Sequence, residues 1–185
     1  MQREPVVKIF LKGLGYTFFG NILGGIMTIS IAPFLDQWFI PYIAILFTLF
    51  MYVSLLFTAG LRDGQTEAKL LKNKRTESIP KLRWIWFGLI LGAVMCIPCA
   101  VLLLGTSGAL NITGEYLFAF RFICGAVCPA MYIAGVQALP VAEYPTIYPV
   151  ILMIIYMVLT PLSAQIGYKF GREEKTLADF MYEKK

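Results

Sequence analysis

Long apolar runs separated by charged stretches organise the chain. Four of them have the length of a bilayer crossing: Gly13 to Ala32, Pro41 to Gly60, Trp84 to Gly105 and Tyr148 to Tyr168. Each is about 20 residues, enough to cross roughly 30 Å of hydrocarbon as a helix. The second reads PYIAILFTLFMYVSLLFTAG and carries no charge. A fifth apolar segment, Leu117 to Pro140, is of another kind. It contains Arg121, Cys124 and Cys128, and Gly125, Pro129, Gly135 and Pro140 interrupt any helix there. The pattern predicts an all-α polytopic membrane helix bundle: four transmembrane helices plus a re-entrant or interfacial segment at 117–140. The whole chain, 1–185, reads as a single integral membrane domain.

The charges between the runs set the expected topology. The N-terminal arm holds Arg3, Lys8 and Lys12, the loop 61–83 holds seven basic residues, and the tail 169–185 holds five. Together these regions carry 15 of the 16 Lys and Arg residues. The remaining connections carry Asp36 and Glu115 and no Lys or Arg outside the fifth segment. The positive-inside rule therefore places the loop and both termini in the cytoplasm. With the tail inside, only one complete crossing fits after the third span, so 117–140 enters and leaves from the outer face. Arg121, costly at bilayer depth, agrees with this. The alternative is five full spans with the tail outside. Trp84 and Trp86, Trp38 and Tyr42, and Tyr144, Tyr148 and Tyr168 flank the runs at interfacial positions.

Composition sharpens the class. Of 185 residues, 58% are hydrophobic, and the mean hydropathy is +0.72. A net charge of +5 does not indicate nucleic acid here, because the basic residues flank apolar runs and suit anionic inner-leaflet lipids along 61–83. The first run is too long for a cleaved signal sequence, so it is expected to stay as a membrane helix. The chain has no His, which removes the commonest general base and metal ligand.

Within the loop, Gly60-Leu61-Arg62-Asp63 reads as a helix stop at an interface, with Gly60 ending the helix, and a short helix is expected from Thr66 to Lys74. Two G-x-x-x-G patterns, Gly20/Gly24 and Gly88/Gly92, present small faces for helix packing or dimerisation. Asn21 lies inside an apolar helix and is expected to hydrogen-bond across the bundle.

The cysteines fall in two pairs, Cys96/Cys99 and Cys124/Cys128. Residues three or four apart on a helix share a face. Counted from the outer ends, all four thiols lie roughly 9–16 Å deep. Two pairs in a four-span bundle resemble the layout of membrane disulfide-forming enzymes that pass electrons to a quinone, and Cys-x-x-Cys is a redox spacing. A four-cysteine metal site is a further option, but such structural sites rarely sit in lipid. Against both, free cysteine packs readily as a small hydrophobe. No metal and no other cofactor is expected, with quinone implied only by the redox alternative. Arg121 is the sole outer basic residue, with Glu115, Glu143 and Asp36 as the acids on its side. It reads either as an interfacial arginine paired with Glu115 or Glu143, or as a counter-ion for an anionic solute or lipid headgroup. Asn21 and Gln165, with Ser163 and Thr160 beside Pro161, are candidate linings of such a pocket. The Asn111-Ile112-Thr113 sequon matters only in a eukaryotic setting.

Three short motifs carry a resemblance: Gly60-Leu61-Arg62-Asp63 after the second run, Phe120-Arg121, and Gly167-Tyr168-Lys169-Phe170-Gly171 closing the last run. With this layout the chain resembles a set of small, functionally uncharacterised multispanning membrane proteins of Gram-positive anaerobic bacteria. The resemblance implies a bacterial cytoplasmic-membrane protein and supplies no catalytic residue.

Three functions remain open from the sequence. The first is a non-enzymatic membrane subunit that packs with itself or with a larger membrane complex, such as a transporter. The second is a small transporter or substrate-binding component for an anionic solute or lipid, using Arg121. The third is a membrane thiol–disulfide oxidoreductase using Cys96, Cys99, Cys124 and Cys128.

Overall fold

The structure is a computed structural model that describes residues 5–73, 82–136 and 139–173. Every regular element in it is helical. Helix α1 spans Val6–Ser30, α2 Ile40–Lys72, α3 Arg83–Thr106, α4 Gly114–Ile123, α5 Ala130–Ile133 and α6 Ile147–Arg172. Short 3-10 turns occur at Ala32–Phe34, Gly125–Val127 and Val141–Glu143. Helices α1, α2, α3 and α6 are long and apolar enough to cross a membrane.

Their side chains are sorted as a lipid-embedded bundle requires. On α1 the buried stripe is, apart from Ile9, small or polar: Gly13, Thr17, Gly20, Asn21, Gly24, Gly25 and Thr28. The bulky residues Phe19, Ile22, Ile26 and Ile29 point outward. In water this helix would be inside out. In lipid, bulky tails gain nothing by leaving a hydrocarbon solvent, and close packing of small residues holds helices together. The chain has the build of an integral membrane protein.

Helix α2 does not stop at Gly60, as its sequence suggests. It continues for three more turns to Lys72 and takes in the stretch expected to form a separate helix from Thr66. Residues 74–81 of the expected loop lie outside the described residues. Gly60 instead marks a helix crossing. A Cβ there would overlap the Ala164 carbonyl of α6, and one on Gly64 would overlap that of Tyr168. From the other side, a Cβ on Gly167 would overlap the carbonyl of Phe57, and one on Gly171 that of Leu61. Two reciprocal G-x-x-x-G faces, Gly60/Gly64 and Gly167/Gly171, thus let α2 and α6 touch backbone to backbone. Gly88 of α3 takes Pro161 of α6 in the same way, and Gly92 faces the Tyr156 carbonyl. Helix α6 is the centre of the bundle, held by α2 on one side and α3 on the other.

The segment from α4 to α5 bends by 93° at Cys124. Its flanks meet at one place: a Cβ on Gly105, at the end of α3, would overlap Ile112 and lie 2.9 Å from Val141 Cγ1. The segment therefore leaves and returns at the same end of the bundle, as a re-entrant element does. Its broken tip, Gly125–Val127, rests on α1, where a Cβ on Gly24 would be 2.8 Å from the Ala126 nitrogen. Gly20 of the same pattern faces Tyr52 of α2. The N-terminus of α1 and the C-termini of α2 and α6 share one end of the bundle, the basic end.

Candidate functional site

Polar side chains gather at three levels of the bundle. The middle level is built around Asn21, fully buried in α1. Its Oδ1 accepts the Tyr156 hydroxyl at 2.6 Å and the Ala126 N–H at 3.2 Å. Its Nδ2 donates to the Thr17 carbonyl at 2.9 Å. Thr48 of α2 donates to the Ala126 carbonyl at 2.8 Å. Beside them the hydroxyls of Tyr52 and Thr160 share a hydrogen bond at 2.8 Å. A broken helix frees backbone groups that lipid cannot satisfy. Here Asn21 and Thr48 satisfy both backbone groups of Ala126. These residues lie eight or nine positions from the ends of α1, α2 and α6, so the re-entrant tip reaches about 12–14 Å into the bundle.

The cysteines sit around this tip. All four thiols are free. Cys99, Cys124 and Cys128 are buried, whereas Cys96 is only partly covered and lies 3.7 Å from the Met153 carbonyl of α6. The Cys128 thiol approaches the carbonyl of Arg121 at 3.4 Å. Cys96 and Cys99 thus differ in burial, although their spacing suggests a shared face. Among the described residues no three His, Cys, Asp or Glu side chains come together as metal ligands.

At the end opposite the basic one, Arg121 is half-buried and borders a cavity of about 100 Å³, with Thr28, Cys128, Met131 and Tyr132 among its neighbours. Among the described residues no carboxylate lies within ion-pair distance of it; Glu115 and Glu143 are both exposed. In the connection before α6, burial pushes the Tyr144 phenol up, and the Arg121 guanidinium opposes that shift. Gln165 is far from this place, at the basic end. There its Oε1 accepts the Ile85 N–H at 3.2 Å, in the first turn of α3, a donor shared with the Leu82 carbonyl at 3.1 Å. Arg121, Asn21 and Gln165 thus occupy three separate levels and do not form one pocket.

The basic end holds a charged cluster that the sequence reading assigned to a loop. Arg83, at the start of α3, pairs with Glu67 of α2 at 2.5 Å and approaches Asp63 at 3.8 Å. Glu67 also accepts the hydroxyl of Tyr168 from α6. Asp63 accepts the Trp84 indole N–H at 2.8 Å, and Arg83 lies over the Phe87 ring. Glu67 and Arg83 are both buried. The available sign was the four-residue spacing of Asp63 and Glu67, which places both carboxylates on one face once α2 continues. Beside the cluster, a cavity of about 170 Å³ opens between α1, α2 and α3. Lys12, Tyr16, Arg62, Asp63, Thr66 and Trp84 border it, and Arg62 donates to the Tyr16 hydroxyl at 2.9 Å.

Compared with known proteins, the chain matches no family model, no curated protein and no solved structure.

Proposed function

We propose that the protein is a non-enzymatic membrane subunit, which packs with itself or with a larger membrane complex such as a transporter. In this reading it lies in a bacterial cytoplasmic membrane, with both termini in the cytoplasm. One observation carries the proposal. The polar groups at mid-depth, Asn21, Tyr156, Thr48, Tyr52 and Thr160, are engaged with one another and with the re-entrant backbone. They hold the architecture together and present no polar surface to a passing solute. The charge distribution of the loop and tail supports the orientation.

The test is reconstitution of the purified protein alone into liposomes, with uptake of small anions measured beside the mass of the native assembly in membrane extracts. The expected result is no uptake above protein-free liposomes, and a native assembly larger than the 20.8 kDa chain. Saturable uptake by the protein alone, lost in Arg121→Gln, would instead establish the transporter reading. The cavity at Arg121, with no carboxylate paired to the guanidinium among the described residues, is what favours that second reading.

A further inference from the structure

The cavity at the basic end lies where the apolar runs of α1 and α2 meet charged residues, at Lys12 and Arg62. Its border combines groups that recognise a phosphate ester: the Lys12 ammonium, the Arg62 guanidinium and the Tyr16 hydroxyl, whose proton is left to donate because its oxygen accepts from Arg62. Asp63 is held back from an incoming anion, because its carboxylate already accepts the Trp84 N–H and has Arg83 behind it. Arg62 is pre-set by its bond to Tyr16, and a guanidinium suits phosphate geometry.

A second observation tells what kind of phosphate compound fits. Next to the cavity along α1 lies a shallow, open apolar groove bordered by Lys12, Gly15, Tyr16 and Phe19. A Cβ on Gly15 would meet nothing within 4 Å, so the groove is open to the lipid side. Lys12 and Tyr16 border both spaces. A mixed cavity that carries Lys12 and Arg62 beside Ile9, Ala59 and Trp84, next to an open apolar groove, matches an amphiphile.

We propose that this place seats an anionic phospholipid, with its phosphate headgroup between Lys12 and Arg62 and an acyl chain over Gly15 to Phe19. Binding ties α1 to α2 at the basic end through the phosphate, independently of the subunit role proposed above.

Trp84 borders the cavity, whereas Trp38 and Trp86 are exposed to the surroundings. With Trp38→Phe and Trp86→Phe, Trp84 becomes the sole indole of the chain. The purified full-length protein in a non-ionic detergent is titrated with short-chain phosphatidylglycerol, short-chain phosphatidylcholine and glycerol phosphate, reading Trp84 fluorescence. The expected result is a saturable change with phosphatidylglycerol, weakened by salt and weaker with phosphatidylcholine. Lys12→Gln and Arg62→Gln each weaken it by about tenfold, the scale of one charge-assisted hydrogen bond. Both side chains are exposed, and helix content and thermal midpoint verify that the variants fold; Lys12→Gln decides the matter if Arg62→Gln does not fold. Gly15→Leu, which fills only the groove, weakens the lipid several-fold. No saturable change, or one that none of these variants alters, overturns the proposal. Glycerol phosphate acting as well as the lipid, with Gly15→Leu silent, assigns the cavity to a soluble phosphate ester and overturns the lipid seat.

Discussion

The Tyr156 hydroxyl and the Ala126 N–H converge on a single acceptor, Oδ1 of Asn21, at 2.6 and 3.2 Å. One side chain of α1 thereby joins the central helix α6 to the broken tip of the re-entrant segment. Asn21→Ala removes the acceptor and leaves both donors buried, which is expected to cost about 1–3 kcal/mol. Tyr156→Phe removes one donor and leaves Asn21 bonded to Ala126, at about 0.6 kcal/mol, the mean for hydrogen bonds between membrane helices. Unfolding in mixed detergent micelles measures both. Equal costs would show that the re-entrant tip does not depend on Asn21.

Contact between α2 and α6 rests on glycines whose added Cβ would overlap a facing carbonyl. Gly60→Ala and Gly167→Ala are each expected to destabilise by about 2 kcal/mol or more, since rigid backbone on both sides cannot yield cheaply. Gly15→Ala meets open space and is expected to stabilise α1 by up to about 1 kcal/mol through helix propensity. Thermal midpoints in one detergent, compared across the three variants, reveal the contrast. A neutral Gly167→Ala would refute the close crossing.

Arg83 and Glu67 form a buried pair linking α3 to α2, with Tyr168 bringing in α6. Removing one partner strands the other charge, so Arg83→Ala and Glu67→Ala are each expected to cost about 3–5 kcal/mol. The double variant Glu67→Ala/Arg83→Ala strands neither charge and is expected to cost less than the two single changes together. A double variant whose cost equals the sum of the single costs would show that the two residues do not interact.

Three of the four thiols are buried and Cys96 alone is partly exposed. A membrane-permeant maleimide is therefore expected to modify Cys96 first in intact vesicles, with Cys99, Cys124 and Cys128 reacting only after denaturation. Mass-resolved labelling with and without prior reduction reads the order. Labelling of Cys124 or Cys128 that requires reduction would restore the thiol–disulfide reading.

The apolar runs by themselves determined that the chain is a bundle of long helices with one broken segment. The reason is local: in lipid, each segment must satisfy its own backbone hydrogen bonds, so length and hydropathy suffice to mark a crossing. Gly125, Pro129 and Arg121 likewise announced that 117–140 would not run straight through. Tertiary structure alone decided which faces meet. Four G-x-x-x-G spacings occur, at Gly20, Gly60, Gly88 and Gly167, and nothing in their spacing says which partner each one takes. The pairs that bring α2 and α6 together were read from sequence as a helix stop and a terminal motif, because Gly60 and Gly167 stand beside charged residues. The same charges suggested a loop after Gly60. In the folded chain Glu67 and Arg83 neutralise each other across sixteen positions, and α2 can carry them inside. A charge reads as exposed until its partner is known, and the partner is a property of the fold.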